Sequence, residues 1–156
     1  MVDEILPNLY LGRIDEIKKW KTENKEGMTI DVWDYPVYGA DYWCPIIKLE
    51  NFDRPIKSVS QVYVTYINSI GLKVSKNFIN HAINIVIELL NQNKKVMIAC
   101  AESVERSPLT TAFVVAKIKN ITFKDAYNFV ALKHPRTIKK YDWLSNDILH
   151  GIFQPE

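Results

Sequence analysis

One cysteine and one arginine, six positions apart, are the residues of this chain best suited to chemistry. The stretch VMIACAESVERSP, residues 96–108, passes from an apolar run into Cys100. It then goes through Ala101, Glu102, Ser103, Val104 and Glu105 to Arg106, Ser107 and Pro108. If the run is a strand and a helix follows Ser107, the turn between them aims unpaired backbone N–H groups at one spot, and the helix dipole adds positive potential. An anion belongs there. A cysteine at the strand's end has its thiolate stabilised by the same donors and becomes a nucleophile at neutral pH. Arg106 can reach back over the loop with a planar fork for an oxyanion. Ser107 brings a hydroxyl to the helix entrance, able to donate to the thiolate and to stabilise it as a leaving group. A ring of N–H donors with a bidentate arginine matches three equatorial phosphoryl oxygens better than it matches a carboxylate.

The surrounding pattern supplies the elements such a loop needs. Residues 96–99 form a short, wholly apolar run of the kind found in a parallel strand covered on both faces. A helix is expected over residues 109–119, with Pro108 tolerated in its first turn and Ser107 as an N-cap. Upstream, Ser75 suits an N-cap, and Phe78, Ile79, Ala82, Ile83, Val86, Leu89 and Leu90 recur at helical spacing as far as Asn93. Thr122 and Asp125 resemble a capping box, opening a helix that runs to His134, where Pro135 stops it. Residues 14–23 read as a surface helix and residues 141–150 as a last short one. Strands are expected at 28–35, at 61–67 and, within the aromatic- and proline-rich stretch 36–55, at 45–49. Strands alternating with helices argue for a single α/β domain over residues 1–156, a central, mostly parallel sheet with helices on both faces.

Composition narrows the function classes. The 156 residues are 47% hydrophobic, enough for a sizeable core, and 20 basic against 18 acidic residues leave a net charge of +2. No strong field invites nucleic acid or an anionic membrane. No basic leader precedes an apolar segment, and no apolar run approaches a membrane span, so a soluble, cytoplasmic monomer is expected. Cys44 and Cys100 make neither a disulfide framework nor a metal quartet, and His81, His134 and His150 share no ligand spacing. Cys44 is expected to pack in the core. Trp20, Trp33, Trp43 and Trp143 are expected to line core and groove, since no basic stripe accompanies them. For His134 and Arg136 a structural role after the helix end stands beside one in binding acidic residues that flank a substrate.

At Cys100-Ala-Glu-Ser-Val-Glu-Arg106-Ser107 the chain resembles the cysteine-dependent protein tyrosine and dual-specificity phosphatases, whose signature is His-Cys, five residues, Arg, then Ser or Thr. ILPNLYLG near the start looks like the strand that opens dual-specificity phosphatase domains. ITFKDAYNFVALKHPR looks like the family's helix with its following basic-proline element. The resemblance covers most of the chain, least so residues 36–55. It implies a phosphatase-like α/β fold, a phosphorylated protein or peptide as substrate, a phosphate or other oxyanion in the loop of residues 101–106, and a cysteinyl-phosphate intermediate that water hydrolyses. It implies no metal and no cofactor.

Three positions depart from the pattern. The family's histidine before the cysteine is Ala99, and its mid-loop glycine is Ser103, which puts a β-carbon where the backbone needs an unusual φ. Glu102 and Glu105 add negative charge, with side chains expected to radiate away from the phosphate. Ser103 and Glu105 do match the cell-cycle phosphatases of rhodanese-like fold, which look like Cys-x-x-Ser-x-Glu-Arg. The third departure is the general acid, which protonates the leaving oxygen. Asn68 or Ser69 occupies the position where the family places an aspartate. Asp53 can serve only if residues 54–74 form an insertion, and Glu105 is a further alternative. Losing an acid costs ~10²–10⁴-fold in rate, so phosphotyrosine, with its better leaving group, should be favoured over phosphoserine or phosphothreonine.

Three readings follow. The first is a phosphatase of phosphotyrosine proteins. The second is a phosphatase-fold module that binds phosphorylated partners and hydrolyses them poorly. The third is a rhodanese-like thiol enzyme, to which IDVWDYPVYGA bears some likeness.

Overall fold

The computed structural model describes residues 2–47, 73–146 and 148. ILPNLYLG folds as a hairpin. β1 (Asp3–Leu6) and β2 (Leu9–Arg13) pair antiparallel across Pro7 and Asn8, and Asn8 takes the left-handed conformation, φ 70°, that such a turn demands. A 3-10 turn at Ile14–Glu16 leads into α1 (Ile17–Glu23), β3 (Met28–Asp31) and β4 (Tyr42–Trp43). Then come α2 (Lys76–Asn91), β5 (Val96–Cys100), α3 (Arg106–Lys119) and α4 (Phe123–Lys133). A 3-10 turn spans Tyr141–Trp143.

The strands order as β1-β2-β5-β3-β4, and every pairing except that of β1 with β2 is parallel. The expected mostly parallel sheet is therefore present. β5 lies at its centre, with Arg13 of β2 beside Cys100 and Asp31 of β3 beside Ala99. All five residues of β5 are buried. Their alternation feeds two cores, since Val96, Ile98 and Cys100 join the large cluster with α2, α3 and α4, while Met97 and Ala99 pack with Ile17 and Trp20 of α1. Helices thus cover both faces.

α3 is buried continuously from Ser107 to Ala116, as a helix packed on all sides must be. Its two buried threonines turn their hydroxyls onto the helix itself, Thr110 to the Arg106 carbonyl at 2.9 Å and Thr111 to the Ser107 carbonyl at 2.8 Å. The expected caps of α2 and α4 form. Ser75 accepts from the Phe78 amide at 3.3 Å and Thr122 from the Asp125 amide at 3.1 Å.

Some boundaries move. The strand expected at 45–49 is instead Tyr42–Trp43, because Pro45 has no N–H and the ladder ends at the bond from the Cys44 amide to the Asp31 carbonyl, 2.8 Å. Ile47 pairs only with Val74, in an isolated bridge. β3 ends at Asp31, four residues before the expected end, where the Asp31 side chain accepts from the Trp33 amide and bends the chain. α3 starts at Arg106 and not at Leu109. The stretch 141–150 opens as a 3-10 turn and not as an α-helix. The strand expected at 61–67 lies outside the described residues, as do Asp53, Asn68, Ser69 and His150.

Candidate functional site

Cys100 ends β5 at the carboxyl edge of the parallel strands, and α3 begins six residues later. The helix is capped by Glu105, whose side chain makes no capping bond, so Ser107 is not the N-cap that its type suggested. It sits inside the first turn and turns back to the cysteine instead. Its amide points at Cys100 Sγ at 3.4 Å and its hydroxyl lies 3.1 Å from the same sulfur. Both groups are buried, and the amide and hydroxyl of Ser107 are the groups that face the sulfur from the first turn of the helix.

The loop between them turns on Ser103, whose φ of 56° is left-handed. A residue with a β-carbon there carries roughly 1–2 kcal/mol of strain. The side chain offsets it with bonds that glycine could not make. Ser103 Oγ accepts from Ser107 Oγ at 3.2 Å and lies 3.2 Å from His134 Nε2. His134 also reaches the Ser103 carbonyl at 2.6 Å, and its other nitrogen lies 2.6 Å from Asp3 of β1. One residue further on, the Val104 carbonyl accepts from the Ile138 amide at 2.9 Å. The segment after α4 therefore holds the loop from below.

Arg106 meets Asp34, three residues past the end of β3. Arg106 Nε donates to Asp34 Oδ1 at 3.1 Å, and Nη2 stands 2.9 Å from Oδ2. This is a side-on, two-point pair with a fully buried carboxylate, and it sets the plane of the guanidinium. Trp143 backs the same group, with Arg106 Cζ 4.9 Å from the centre of its ring and Lys140 Nζ 5.0 Å from it. Of the two loop glutamates, Glu102 is exposed and Glu105 faces Lys140 at 3.9 Å. Ala99 lies in the second core, where Ile17, Trp20 and Met97 take the space around it.

A second buried carboxylate lies nearby. Burial pushes Asp31 up to about 7, and the amides of Trp33 and Val37 oppose the shift while Asp34 adds to it. Cys44 is a buried free thiol, raised by burial and by the Asp31 charge to about 11, so it stays protonated at neutral pH. It packs in the large core as expected. Trp20 and Trp143 are buried, while Trp43 is about half exposed. His134 is fully buried, which leaves it to the loop and not to a substrate.

Sequence reasoning brought Cys100, Ser103, Arg106 and Ser107 together and missed Asp34, Asp3 and the loop-holding part of His134. The signal for Asp34 was present: IDVWD is an apolar strand with an acidic residue just past its end, and a neighbouring parallel strand ends on the same edge as Cys100. Nothing local could have paired Asp3 with His134. Among the described residues no group of three or more His, Cys, Asp or Glu is placed to hold a metal ion, and no helix is long and apolar enough to cross a membrane.

No family model matches the chain, and no curated protein matches it by sequence. Solved structures match over nearly its whole length. It is similar to the PTP-2 phosphatase of Cydia pomonella, with a TM-score of 0.66 and 14% identity, covering 96% of this chain and 88% of that one. DUSP15 follows at 0.65 and 14%, covering 91% and 81%. The human tyrosine phosphatase-like serine/threonine/tyrosine-interacting protein gives 0.62 and 14%, covering 91% and 89%. At these identities the likeness establishes the fold, which is that of the dual-specificity phosphatases.

Proposed function

We propose that this protein hydrolyses phosphomonoesters, phosphotyrosine in proteins or peptides foremost, with Cys100 as nucleophile. The observation that carries the reading is the sulfur of Cys100, 3.4 Å from the Ser107 amide and 3.1 Å from its hydroxyl, at the mouth of α3.

In this reading the loop amides of residues 101–106 and the Arg106 guanidinium bind the phosphoryl oxygens, and Asp34 with Trp143 holds that guanidinium in one plane. The thiolate attacks phosphorus, a sulfur–phosphorus bond forms, and the ester oxygen leaves with its electron pair. Water then cleaves the cysteinyl phosphate and the sulfur departs as thiolate, stabilised by the Ser107 hydroxyl. No metal enters these steps. Asp53 is the carboxylic acid assigned to the leaving oxygen. The ends of the stretch that contains it are tied together by the Ile47 to Val74 bridge and by the Ser75 amide donating to the Ile46 carbonyl at 2.8 Å.

A second reading has a specific observation behind it. Ala99 replaces the histidine that supports such loops, and one protein of like fold is named as phosphatase-like and interacting. A module that binds phosphorylated partners without efficient turnover would keep Arg106 and the loop amides.

Phosphate release from para-nitrophenyl phosphate and from a phosphotyrosine peptide, between pH 5 and pH 8, separates the readings. Turnover of both by the native protein and of neither by Cys100→Ser supports the enzyme. Peptide binding with no release of phosphate supports the module.

A further inference from the structure

Four side chains form an unbroken polar line on the buried side of the loop. Cys100 Sγ lies 3.1 Å from Ser107 Oγ, Ser107 Oγ 3.2 Å from Ser103 Oγ, and Ser103 Oγ 3.2 Å from His134 Nε2. Asp3 Oδ2 closes the line at 2.6 Å from His134 Nδ1. Ser103, Ser107 and His134 are fully buried, so water does not supplement these bonds. The line joins β1, the end of α4 and the loop after β5.

Each bond has a direction. The Ser103 carbonyl, 2.6 Å from Nε2, can only accept, so that nitrogen carries a proton. Arg136 Nε lies 3.2 Å from the same nitrogen, and the shorter contact decides which partner the proton serves. The Asp3 carboxylate takes the other side of the ring. With the thiol protonated, Ser107 donates to Ser103. A thiolate can only accept, and hydroxyl protons rotate without moving an oxygen. Ser107 then turns its proton to sulfur and Ser103 turns its own to Ser107, while the Nε2 proton of His134, held by the Ser103 carbonyl, fixes the residue that carries that hydroxyl. Donor groups now stand in sequence behind the charge, the arrangement in which successive bonds polarise one another.

We infer that His134, fixed by Asp3, is a positioning residue for Cys100, holding Ser103 in its left-handed conformation and ordering the two serine hydroxyls toward the sulfur. The inference rests on reading Cys100 as the nucleophile. It accounts for two departures together. Ala99 leaves the cysteine without an adjacent histidine, and His134 supplies one through the serines. Serine in place of glycine at 103 provides the hydroxyl through which that supply runs. The charged groups around the line are Asp3 from β1, Arg13 beside Cys100 on β2 with Glu102 near it, Arg136 with Glu16 behind it at 3.6 Å, Glu105 facing Lys140, and Arg106 with Asp34 on the loop's other flank. The His134 and Ser103 variants leave all of these in place, so differences between their midpoints isolate the line.

The experiment is the rate of alkylation of Cys100 by iodoacetamide between pH 5 and pH 9 on the full chain, followed by mass spectrometry of the peptide that contains it. Cys44 reports separately. His134→Ala is expected to move the midpoint up by about one pH unit, which is roughly tenfold less thiolate on the lower limb. His134→Gln, whose amide can still donate to the Ser103 carbonyl, should recover part of that shift. Ser103→Ala should shift the midpoint alone and add nothing in the His134→Ala background. A folded His134→Ala protein with an unchanged midpoint overturns the inference, whatever happens to its melting temperature. If that variant does not fold, Asp3→Asn decides in the same way, a smaller upward shift supporting the line and no shift overturning it. Alkylation needs no phosphate ester, so a shifted midpoint in a protein that hydrolyses nothing would sink the phosphatase reading and leave this inference standing.

Discussion

Arg106 and Asp34 form a two-point pair, Nε to Oδ1 at 3.1 Å and Nη2 to Oδ2 at 2.9 Å, between residues 72 positions apart. The carboxylate is fully buried and the arginine side chain only 11% exposed, so removing one partner leaves the other charged and poorly hydrated. Breaking such a pair costs about 3 kcal/mol. Asp34→Ala should lose about that much stability in urea unfolding. It should also bind vanadate at least about tenfold more weakly, because the guanidinium plane is no longer fixed. Unchanged vanadate affinity in the folded variant would show that Asp34 serves stability alone.

Asp31 gives the chain a pH-dependent stability of unusual sign for an aspartate. Burial raises it from 3.8 to about 7, so between those values the folded chain holds a proton that the unfolded chain has lost. Its contribution to stability is fully present below pH 3.8 and is lost as the pH rises through about 7, at most roughly 1.4 kcal/mol for each pH unit. Asp31→Asn keeps a side-chain oxygen for the Trp33 amide and removes the titration. Urea unfolding should find the variant gaining stability on the native chain as the pH rises from 4.5 to about 7, by up to roughly 1.4 kcal/mol for each pH unit. A difference that does not depend on pH would count against a titrating Asp31.

What the sequence made legible was contiguous. Cys100, Arg106 and Ser107 sit within one loop and one helix turn, where spacing fixes geometry, and the apolar run of β5 carries its own burial pattern. The caps at Ser75 and Thr122 were equally local. Contacts over long separations were not legible. Asp3 meets His134 across 131 positions and Asp34 meets Arg106 across 72, and neither distance leaves a periodicity to read. The reading of Ser107 as an N-cap failed for a physical reason too. An N-cap precedes its helix, and here the helix already begins at Arg106 behind Glu105, so Ser107 lies inside the first turn with its amide and hydroxyl facing Cys100 Sγ.

Gly27 permits the second core. A β-carbon there would stand 2.5 Å from Cη2 and 2.6 Å from Cζ3 of Trp20, and 3.0 Å from the Asn24 carbonyl oxygen. The indole cannot retreat, because Ile17, Met97 and Ala99 pack against it and its ring centre lies 5.5 Å from that of Tyr10. Gly27→Ala should therefore cost about 2 kcal/mol by overpacking. A melting temperature lower by roughly 4–8 °C in calorimetry would agree with that figure. An unshifted melt would mean that α1 rearranges freely.

Asp53 is the last prediction and bears on the chemistry directly. β4 runs parallel to β3 and β5, so the chain past Trp43 leaves the sheet on the edge where Cys100 lies. Asp53 follows Ile47 by six positions and Asn68 precedes Val74 by six, so each stands at most about 20 Å of extended chain from the bridge joining those ends. Only the aspartate can give up a proton as a carboxylic acid. Asp53→Asn should lower phosphotyrosine turnover by ~10²-fold or more while changing little for an aryl ester whose phenol leaves unaided. Asn68→Asp in that background tests the alternative placement. If the double variant regains the lost rate and the single one falls as expected, both positions reach the leaving oxygen. If Asp53→Asn slows the two esters equally, or slows neither, Asp53 is not the acid, and the leaving group departs without a proton from that stretch.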